Sequence, residues 1–201
     1  MRRPTSYRTW HHEPPYWGDV TRWFDDADKV LDIGCGTGWL ADHIGNYTGI
    51  DRDPAAVEEG NRRGRNLIQT DLDEERLPFE DGEFDGAILK DVLEHLQDPA
   101  HLVAETRRIL RDGGRVFASA PDNQRWVWDD YTHVRPFSLK AFRRLFEDHG
   151  FELERSGLES VMPGIELLTQ WSGGNRRPRV FNSLARLPFV PRNVWLLARK
   201  P

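Results

Sequence analysis

One stretch of nine residues decides the fold, Val30-Leu31-Asp32-Ile33-Gly34-Cys35-Gly36-Thr37-Gly38. It is an apolar run that breaks into three glycines spaced two apart, and helix-forming residues follow from Trp39 to Ile44. The pattern predicts a buried strand, then a turn with positive φ angles, then a helix. A turn of this kind allows a ligand to lie directly against the backbone, so the stretch indicates a binding site.

A second apolar segment, Tyr47-Thr48-Gly49-Ile50-Asp51, ends in an acid thirteen residues after Gly38. A carboxylate at the tip of this strand can accept hydrogen bonds from both hydroxyls of a ribose. The glycine turn and this acid together predict a site for a cofactor that contains a nucleoside.

The glycine spacing discriminates between cofactors. A dinucleotide-binding turn has the pattern Gly-x-Gly-x-x-Gly, whose third glycine lets the helix pack closely on the strand. Counted from Gly34, that third position holds Trp39. The bulky side chain disfavours a pyrophosphate-binding turn, and it counts against a nicotinamide-dependent oxidoreductase, the alternative that the same glycines and Asp51 would support.

The chain instead resembles the class I S-adenosylmethionine-dependent methyltransferases, in particular the small bacterial type-11-like members. Residues 30–38 with Asp51 look like the family's first motif and its ribose acid. Residues 78–85, 90–96 and 110–114 are similar to the segments before strand four, after strand four and before strand five. The resemblance covers about residues 28–156, and its motifs occur in the correct order.

The resemblance implies S-adenosyl-L-methionine as cofactor and S-adenosyl-L-homocysteine as product. It places Asp71 at the adenine amino group, and an ordinary turn cap is the alternative role for that side chain. Lys90 stands where the family often has asparagine or a small residue. The cofactor-binding residues that it implies are Asp32, Gly34, Cys35, Gly36, Gly38, Asp51, Arg52, Asp71, Leu72 and Lys90.

Alternating strands and helices predict an α/β fold, Rossmann-like and doubly wound, with a mostly parallel seven-stranded sheet and an antiparallel last strand. The strands are expected at 29–33, 47–51, 66–70, 84–89, 115–120, 151–156 and 194–199. Helices are expected at 16–24, 39–44, about 100–110 and 139–149, with shorter ones near 165–171 and 181–187. Asp53 and Ser138 are expected to cap helices.

We expect a single domain, residues 1–201, with four parts. These are an N-terminal lid or helix (1–27), a cofactor-binding core (28–156), a C-terminal elaboration (157–192) and the last strand (193–201).

The acceptor pocket is expected in the loop that follows strand five, at the carboxyl edge of the sheet where ligands bind in open α/β folds. This loop is unusually aromatic and titratable, and its candidate substrate-binding residues are Trp126, Trp128, Tyr131 and Arg135. His133 of the same loop and His95 of the motif at 90–96 are the candidate bases, because an imidazole titrates near neutral pH. For His95 a buried structural role is an equal alternative. Glu94 is expected at most to pair with an arginine.

Composition limits the remaining possibilities. The 201 residues carry a net charge of −5, but residues 167–201 hold seven basic side chains and no acid, leaving −12 on the first 166. An acidic body argues against an extended nucleic-acid footprint. No apolar stretch resembles a signal peptide or a membrane span, and the single cysteine excludes an internal disulfide, so a cytoplasmic protein is expected.

The seven histidines show no ligand spacing on a helix, so no metal site is expected. The expected function is methyl transfer to a small-molecule acceptor, with O-methylation favoured and an anionic acceptor compatible with the basic C-terminal segment. The acceptor would be a natural product, a glycan or a lipid precursor, and the protein a monomer or homodimer. A non-catalytic binding module that keeps the cofactor pocket is the alternative.

Overall fold

A computed structural model describes residues 18–73, 76–160 and 190–201. Seven strands form one sheet in the order β3-β2-β1-β4-β5-β7-β6. The strands are β1 (Val30–Ile33), β2 (Tyr47–Asp51), β3 (Leu67–Gln69), β4 (Phe84–Lys90), β5 (Leu110–Pro121), β6 (Glu152–Ser160) and β7 (Arg192–Arg199).

The sheet is parallel from β3 through β5, and β7 runs antiparallel to both of its neighbours, β5 and β6. The predicted doubly wound fold is therefore confirmed. One difference concerns β5, which begins at Leu110 and not at Arg115. Its register on β4 jumps from Leu110 to Arg115, because Gly113 adopts a φ of +79° and makes an irregularity within the strand. The segment 110–114, expected to precede this strand, thus lies inside β5.

Four helices flank the described strands: α1 (Gly18–Thr21), α2 (Pro54–Arg62), α3 (Pro99–Ile109) and α4 (Leu139–Glu147). The predicted caps are present, since Asp53 accepts a hydrogen bond from the Ala55 N–H and Ser138 accepts one from the Ala141 N–H. Residues 39–44 form a single 3-10 turn, Trp39–Asp42, instead of a longer helix. Residues 1–17 of the N-terminal lid or helix expected at 1–27 lie outside the described residues, as do the helices expected near 165–171 and 181–187.

Buried side chains on both faces hold the sheet between its helices, as expected for parallel strands. One cluster contains Phe84, Phe142 and Phe146, all fully buried, and the other contains Val30, Ile88 and Phe24. Each such burial stabilises the fold by roughly 1.5–3 kcal/mol. Within the described ranges, no helix is long and apolar enough to cross a membrane.

The chain order fixes where a ligand can enter. From β1 the chain proceeds outward through β2 and β3, and it then returns to place β4 on the other side of β1. Adjacent connections therefore leave β1 and β4 in opposite directions, which opens a crevice at their carboxyl ends. The glycine turn follows β1 and the motif at 90–96 follows β4, so both border this crevice.

Candidate functional site

The glycine turn adopts the backbone conformation that the sequence predicts. The φ angles of Gly34, Gly36 and Gly38 are +78°, +57° and +72°. A Cβ atom added to Gly34 would lie 2.6 Å from Val92 Cγ2, so the turn packs directly against the segment that follows β4. The cofactor region and the motif at 90–96 are consequently in contact.

Cys35 serves the turn itself. Its N–H donates to the Ile50 carbonyl at 3.0 Å, and its carbonyl accepts from the Gly38 N–H at 2.9 Å. The side chain is buried, and burial raises the pKa of its thiol well above the ordinary value. The residue therefore holds the turn in shape and carries no reactive thiolate at neutral pH.

Asp51 faces the glycine turn from the end of β2. One carboxylate oxygen accepts the Gly36 N–H at 2.8 Å, and the other accepts the Asp53 N–H at 2.8 Å. These bonds fix the direction of the carboxylate, while each oxygen keeps a second lone pair for another donor. The neighbouring Arg52 lies 3.9 Å from Asp73 and has a half-exposed side chain.

Asp32 lies inside the protein, behind the turn. Its carboxylate accepts a 2.7 Å hydrogen bond from the Tyr47 hydroxyl. Burial is the main cause that raises the pKa of Asp32 to about 7, and the negative charge of Asp51 adds to it while the bond from Tyr47 opposes it. Sequence reasoning missed Tyr47 as a partner, because nothing in the spacing shows that the strand β2 turns this ring toward β1.

Asp71 and Leu72 differ in the groups that they could present to a cofactor. The Asp71 carboxylate is exposed and accepts the Asp73 N–H at 3.0 Å, which is the turn-capping role given above as the alternative. A carboxylate so placed retains lone pairs for a ligand. Leu72 is only 2% exposed and belongs to the core, so its side chain packs the interior and any contact with a cofactor would come from its main chain.

The end of β4 is held by a part-buried polar network around Asp91, a residue that sequence reasoning did not single out. One Asp91 oxygen accepts from Ser119 Oγ at 3.0 Å and Asn193 Nδ2 at 2.9 Å. The other pairs with the Lys90 ammonium. Asp91 has a φ of +53°, a left-handed conformation that is uncommon for residues other than glycine but that aspartate adopts more readily than most.

His95 and His133 come together from different segments, with ring centroids 4.7 Å apart. His133 Nδ1 donates to the Val127 carbonyl at 2.6 Å. His95 Nδ1 lies 3.0 Å from the Thr132 hydroxyl, which itself donates to Asp130 at 2.7 Å. Since the hydroxyl has one proton and gives it to Asp130, His95 Nδ1 must be the donor to Thr132. In its neutral form each ring therefore carries its lone pair on Nε2.

Glu94 is buried, at 1% exposure, beside these histidines. Burial and the nearby Asp91 raise the pKa of Glu94 well above its ordinary value. Burial and the neighbouring His133 lower the pKa of His95, which favours its neutral form. The expected arginine partner is not found for Glu94 among the described residues, and its Oε2 has no hydrogen-bond partner there.

The loop after β5 is tied to the segment after β4. The Val134 N–H donates to the Glu94 carbonyl at 2.8 Å, and the Arg135 guanidinium donates to the Gln97 carbonyl at 2.7 Å. The Arg135 guanidinium thus contacts the main chain of the segment after β4, and its substrate-binding role stays a prediction. The aromatic residues are more available, since Trp128 and Tyr131 are 55% and 75% exposed.

Trp126 lies near the start of this loop, in the 3-10 turn Arg125–Asp129. Its Nε1 donates to Gln124 Oε1 at 2.8 Å. It borders a cleft of about 560 Å³ between the loop and the start of β7, lined by Asn123, Gln124, Arg125, Trp126, Asp129, Pro191 and Arg192. The cleft is large enough for a small organic molecule.

A family model matches most of the chain, and the curated relatives below match about half of it. A family model described as a methyltransferase domain matches residues 9–156. A 37.1 kDa protein of a Streptomyces fradiae transposon is 41% identical over 116 residues, which are 53% of this chain and 32% of that protein. A ubiquinone biosynthesis O-methyltransferase of Pseudomonas aeruginosa is 35% identical over 114 residues, 48% of each chain. The chain thus spans about half or less of these two relatives.

A solved S-adenosylmethionine-dependent methyltransferase from Archaeoglobus fulgidus has the same fold. The two chains superpose with a TM-score of 0.69 at 17% identity, covering 92% of this chain and 91% of the other. Of the two enzyme classes that the glycine turn left open, the family match supports the methyltransferases. The glycine turn, the acid at the end of β2 and the match over residues 9–156 agree, and this chain belongs to the S-adenosylmethionine-dependent methyltransferase domain family.

Proposed function

We propose that this protein transfers a methyl group from S-adenosylmethionine to an oxygen atom of a small-molecule acceptor. The observation that carries the proposal is the pair of imidazoles at the carboxyl ends of β4 and β5, both with their lone pair on Nε2. The pair lies on the segments that border the crevice of the glycine turn, so donor and acceptor would meet there.

The residues present fit the cofactor. Gly34 and Gly36 allow close approach of a ligand to the backbone, because both have positive φ angles. Asp51, oriented by two backbone amides, would accept from the ribose hydroxyls, and Asp71 would accept from the adenine amino group. Bound S-adenosylmethionine supplies an activated methyl group, and the protein's task is alignment of the acceptor and removal of its proton.

Oxygen is the favoured acceptor atom because a hydroxyl must lose its proton when it is methylated. A neutral imidazole is a suitable base at pH 7, and the lowered pKa of His95 favours that form. In its neutral form His133 has a lone pair on Nε2 as well, so it is a second candidate base. The relative from Pseudomonas aeruginosa is named an O-methyltransferase, which supports the same choice. Trp128 and Tyr131 are exposed aromatic surfaces on which an acceptor ring could stack.

The test combines cofactor binding with turnover. Calorimetric titration with S-adenosylhomocysteine should show binding to the wild type. His133→Ala should leave that dissociation constant within about twofold, while turnover of an accepted substrate falls by roughly 10²-fold or more. His149→Ala is the matched control, because His149 also donates Nδ1 to a carbonyl, that of Leu145 at 2.7 Å.

Three outcomes would count against the proposal. Absence of heat and of a thermal shift with S-adenosylhomocysteine would refute the cofactor assignment. Cofactor binding without turnover across a broad panel of phenols and other hydroxyl compounds would favour a non-catalytic module. Loss of cofactor binding in His133→Ala would show that the loop after β5 covers the donor and does not hold the acceptor.

A further inference from the structure

Three side chains that the sequence separates converge beside the crevice. Glu94 and His95 lie on the 3-10 turn after β4, and His133 lies on the loop after β5. One carboxylate oxygen and one ring nitrogen from each histidine all lie within 4.8 Å of one another. A group assembled from two segments leaves no ligand spacing on one helix, so the spacing of the histidines along the chain does not reveal it.

Carboxylate oxygens and the unprotonated nitrogens of imidazoles are electron-pair donors. The proton on His133 Nδ1 is used by the Val127 carbonyl, and the proton on His95 Nδ1 is used by the Thr132 hydroxyl. Each ring is therefore fixed in the tautomer with a lone pair on Nε2. Such bonds, from the far ring nitrogen to a carbonyl or hydroxyl, commonly orient histidines that bind a metal.

The surroundings are acidic. Within the described chain, Glu94 Oε2 is buried and makes no hydrogen bond. Asp91 from the end of β4 and Asp130 from the loop add two more carboxylates, and His133 Nε2 lies 3.8 Å from Asp130 Oδ2. The cations facing the group are Lys90, which pairs with Asp91, and Arg52. A buried carboxylate oxygen without a donor, on a side chain that approaches two imidazoles, is satisfied by a bound cation.

We propose that Glu94, His95 and His133 bind one divalent transition-metal ion. Two imidazole nitrogens and one carboxylate oxygen are a donor set that suits zinc, cobalt, manganese or iron(II) better than magnesium or calcium. Ligand bonds of about 2.1 Å place neighbouring ligand atoms roughly 3.4 Å apart, so the observed group needs only small side-chain rotations. Three protein ligands leave further positions for other molecules, as in catalytic metal sites.

The consequence for the reaction rests on the proposed function. A cation at this place would lie beside the acceptor oxygen and lower the pKa of its hydroxyl. In the metal-loaded protein the imidazoles then act as ligands that position the acceptor, and in the metal-free protein an imidazole is available as base. The metal-binding property itself does not depend on the identity of the acceptor.

The test uses cobalt(II) as a spectroscopic probe on the full chain, purified without a histidine tag and treated with a chelator. Wild type should bind one equivalent, with visible absorption bands of protein-bound cobalt. Glu94→Gln and His133→Asn each remove one ligand and should weaken binding by at least about tenfold. His149→Asn, a histidine with the same Nδ1-to-carbonyl bond but outside the group, should bind cobalt like the wild type.

Absence of cobalt binding to the folded wild type would overturn the inference, as would binding that is unchanged in His133→Asn. If Glu94→Gln does not fold, the His133→Asn result alone decides. S-adenosylhomocysteine binding is measured on the same preparations. Intact cofactor binding without cobalt binding rejects the metal site and leaves the methyltransferase proposal standing. Cobalt binding without cofactor binding supports the metal site and rejects the methyltransferase proposal.

Discussion

Asp51 is the residue whose replacement tests the cofactor site most directly. Its carboxylate joins the glycine turn to the end of β2 through bonds of 2.8 Å to the Gly36 and Asp53 amides. In Asp51→Ala these amides and the ribose hydroxyls would lose a charged acceptor. Hydrogen bonds to charged groups contribute about 1.5–3 kcal/mol each.

We therefore expect Asp51→Ala to weaken S-adenosylhomocysteine binding by roughly 1.5–3 kcal/mol, which is about 10- to 160-fold in the dissociation constant. The loss of two bonds within the protein should also lower the melting temperature of the ligand-free form by several degrees. The assays are isothermal titration calorimetry and thermal unfolding. The folded state should persist, because the core does not depend on this half-exposed side chain.

Asp53→Asn is the matched control, since it removes a negative charge two residues away. Asparagine caps helices as well as aspartate does, so the bond to the Ala55 N–H is retained. Its cofactor dissociation constant should stay within about twofold of the wild type. An unchanged constant in Asp51→Ala, or an equal loss in both variants, would refute the assignment of Asp51 to the ribose.

Three further predictions concern the turn, the buried acid and the loop. Gly34→Ala should destabilise the fold by about 2–4 kcal/mol, because residue 34 has a φ of +78° and the added methyl group would clash with Val92. In urea unfolding, the double variant Gly34→Ala with Val92→Ala should lose less stability than the two single variants lose together. Asp32 has a pKa raised from 3.8 to about 7 by burial, so its contribution to stability falls as pH rises between those values. Asp32→Asn should consequently raise the unfolding free energy at pH 8 by up to about 4 kcal/mol and leave it nearly unchanged at pH 4. Equal effects of the substitution at both pH values would contradict this prediction. Trp128→Ala and Tyr131→Ala should leave the melting temperature within error, because both rings are exposed, and should raise KM for the acceptor without changing cofactor affinity; a normal KM in both would exclude stacking.

Much of the fold could be predicted because its signals are local. Strand β2 has the predicted bounds, and β1 and β4 differ from the predicted ones by a single residue. Alternation of apolar runs, glycines and capping residues is decided within a few positions along the chain. The irregularity in β5 could not be predicted, because it depends on how Gly113 lets two parts of one strand pair with β4 in different registers.

The sequence by itself determined the class of fold and the cofactor family, since the glycine turn and Asp51 need only backbone geometry and chain order to form a site. Only the tertiary structure decided which side chains come together at the expected acceptor side of the site. Glu94 and His133 are separated by 38 intervening residues, and they meet because β4 and β5 are adjacent parallel strands whose carboxyl ends coincide. The tautomers of the two histidines are likewise set by partners, the Val127 carbonyl and the Thr132 hydroxyl, that no spacing in the sequence reveals. A local pattern can specify how the backbone turns, whereas the proton carried by a ring nitrogen is fixed by whatever the fold places beside it.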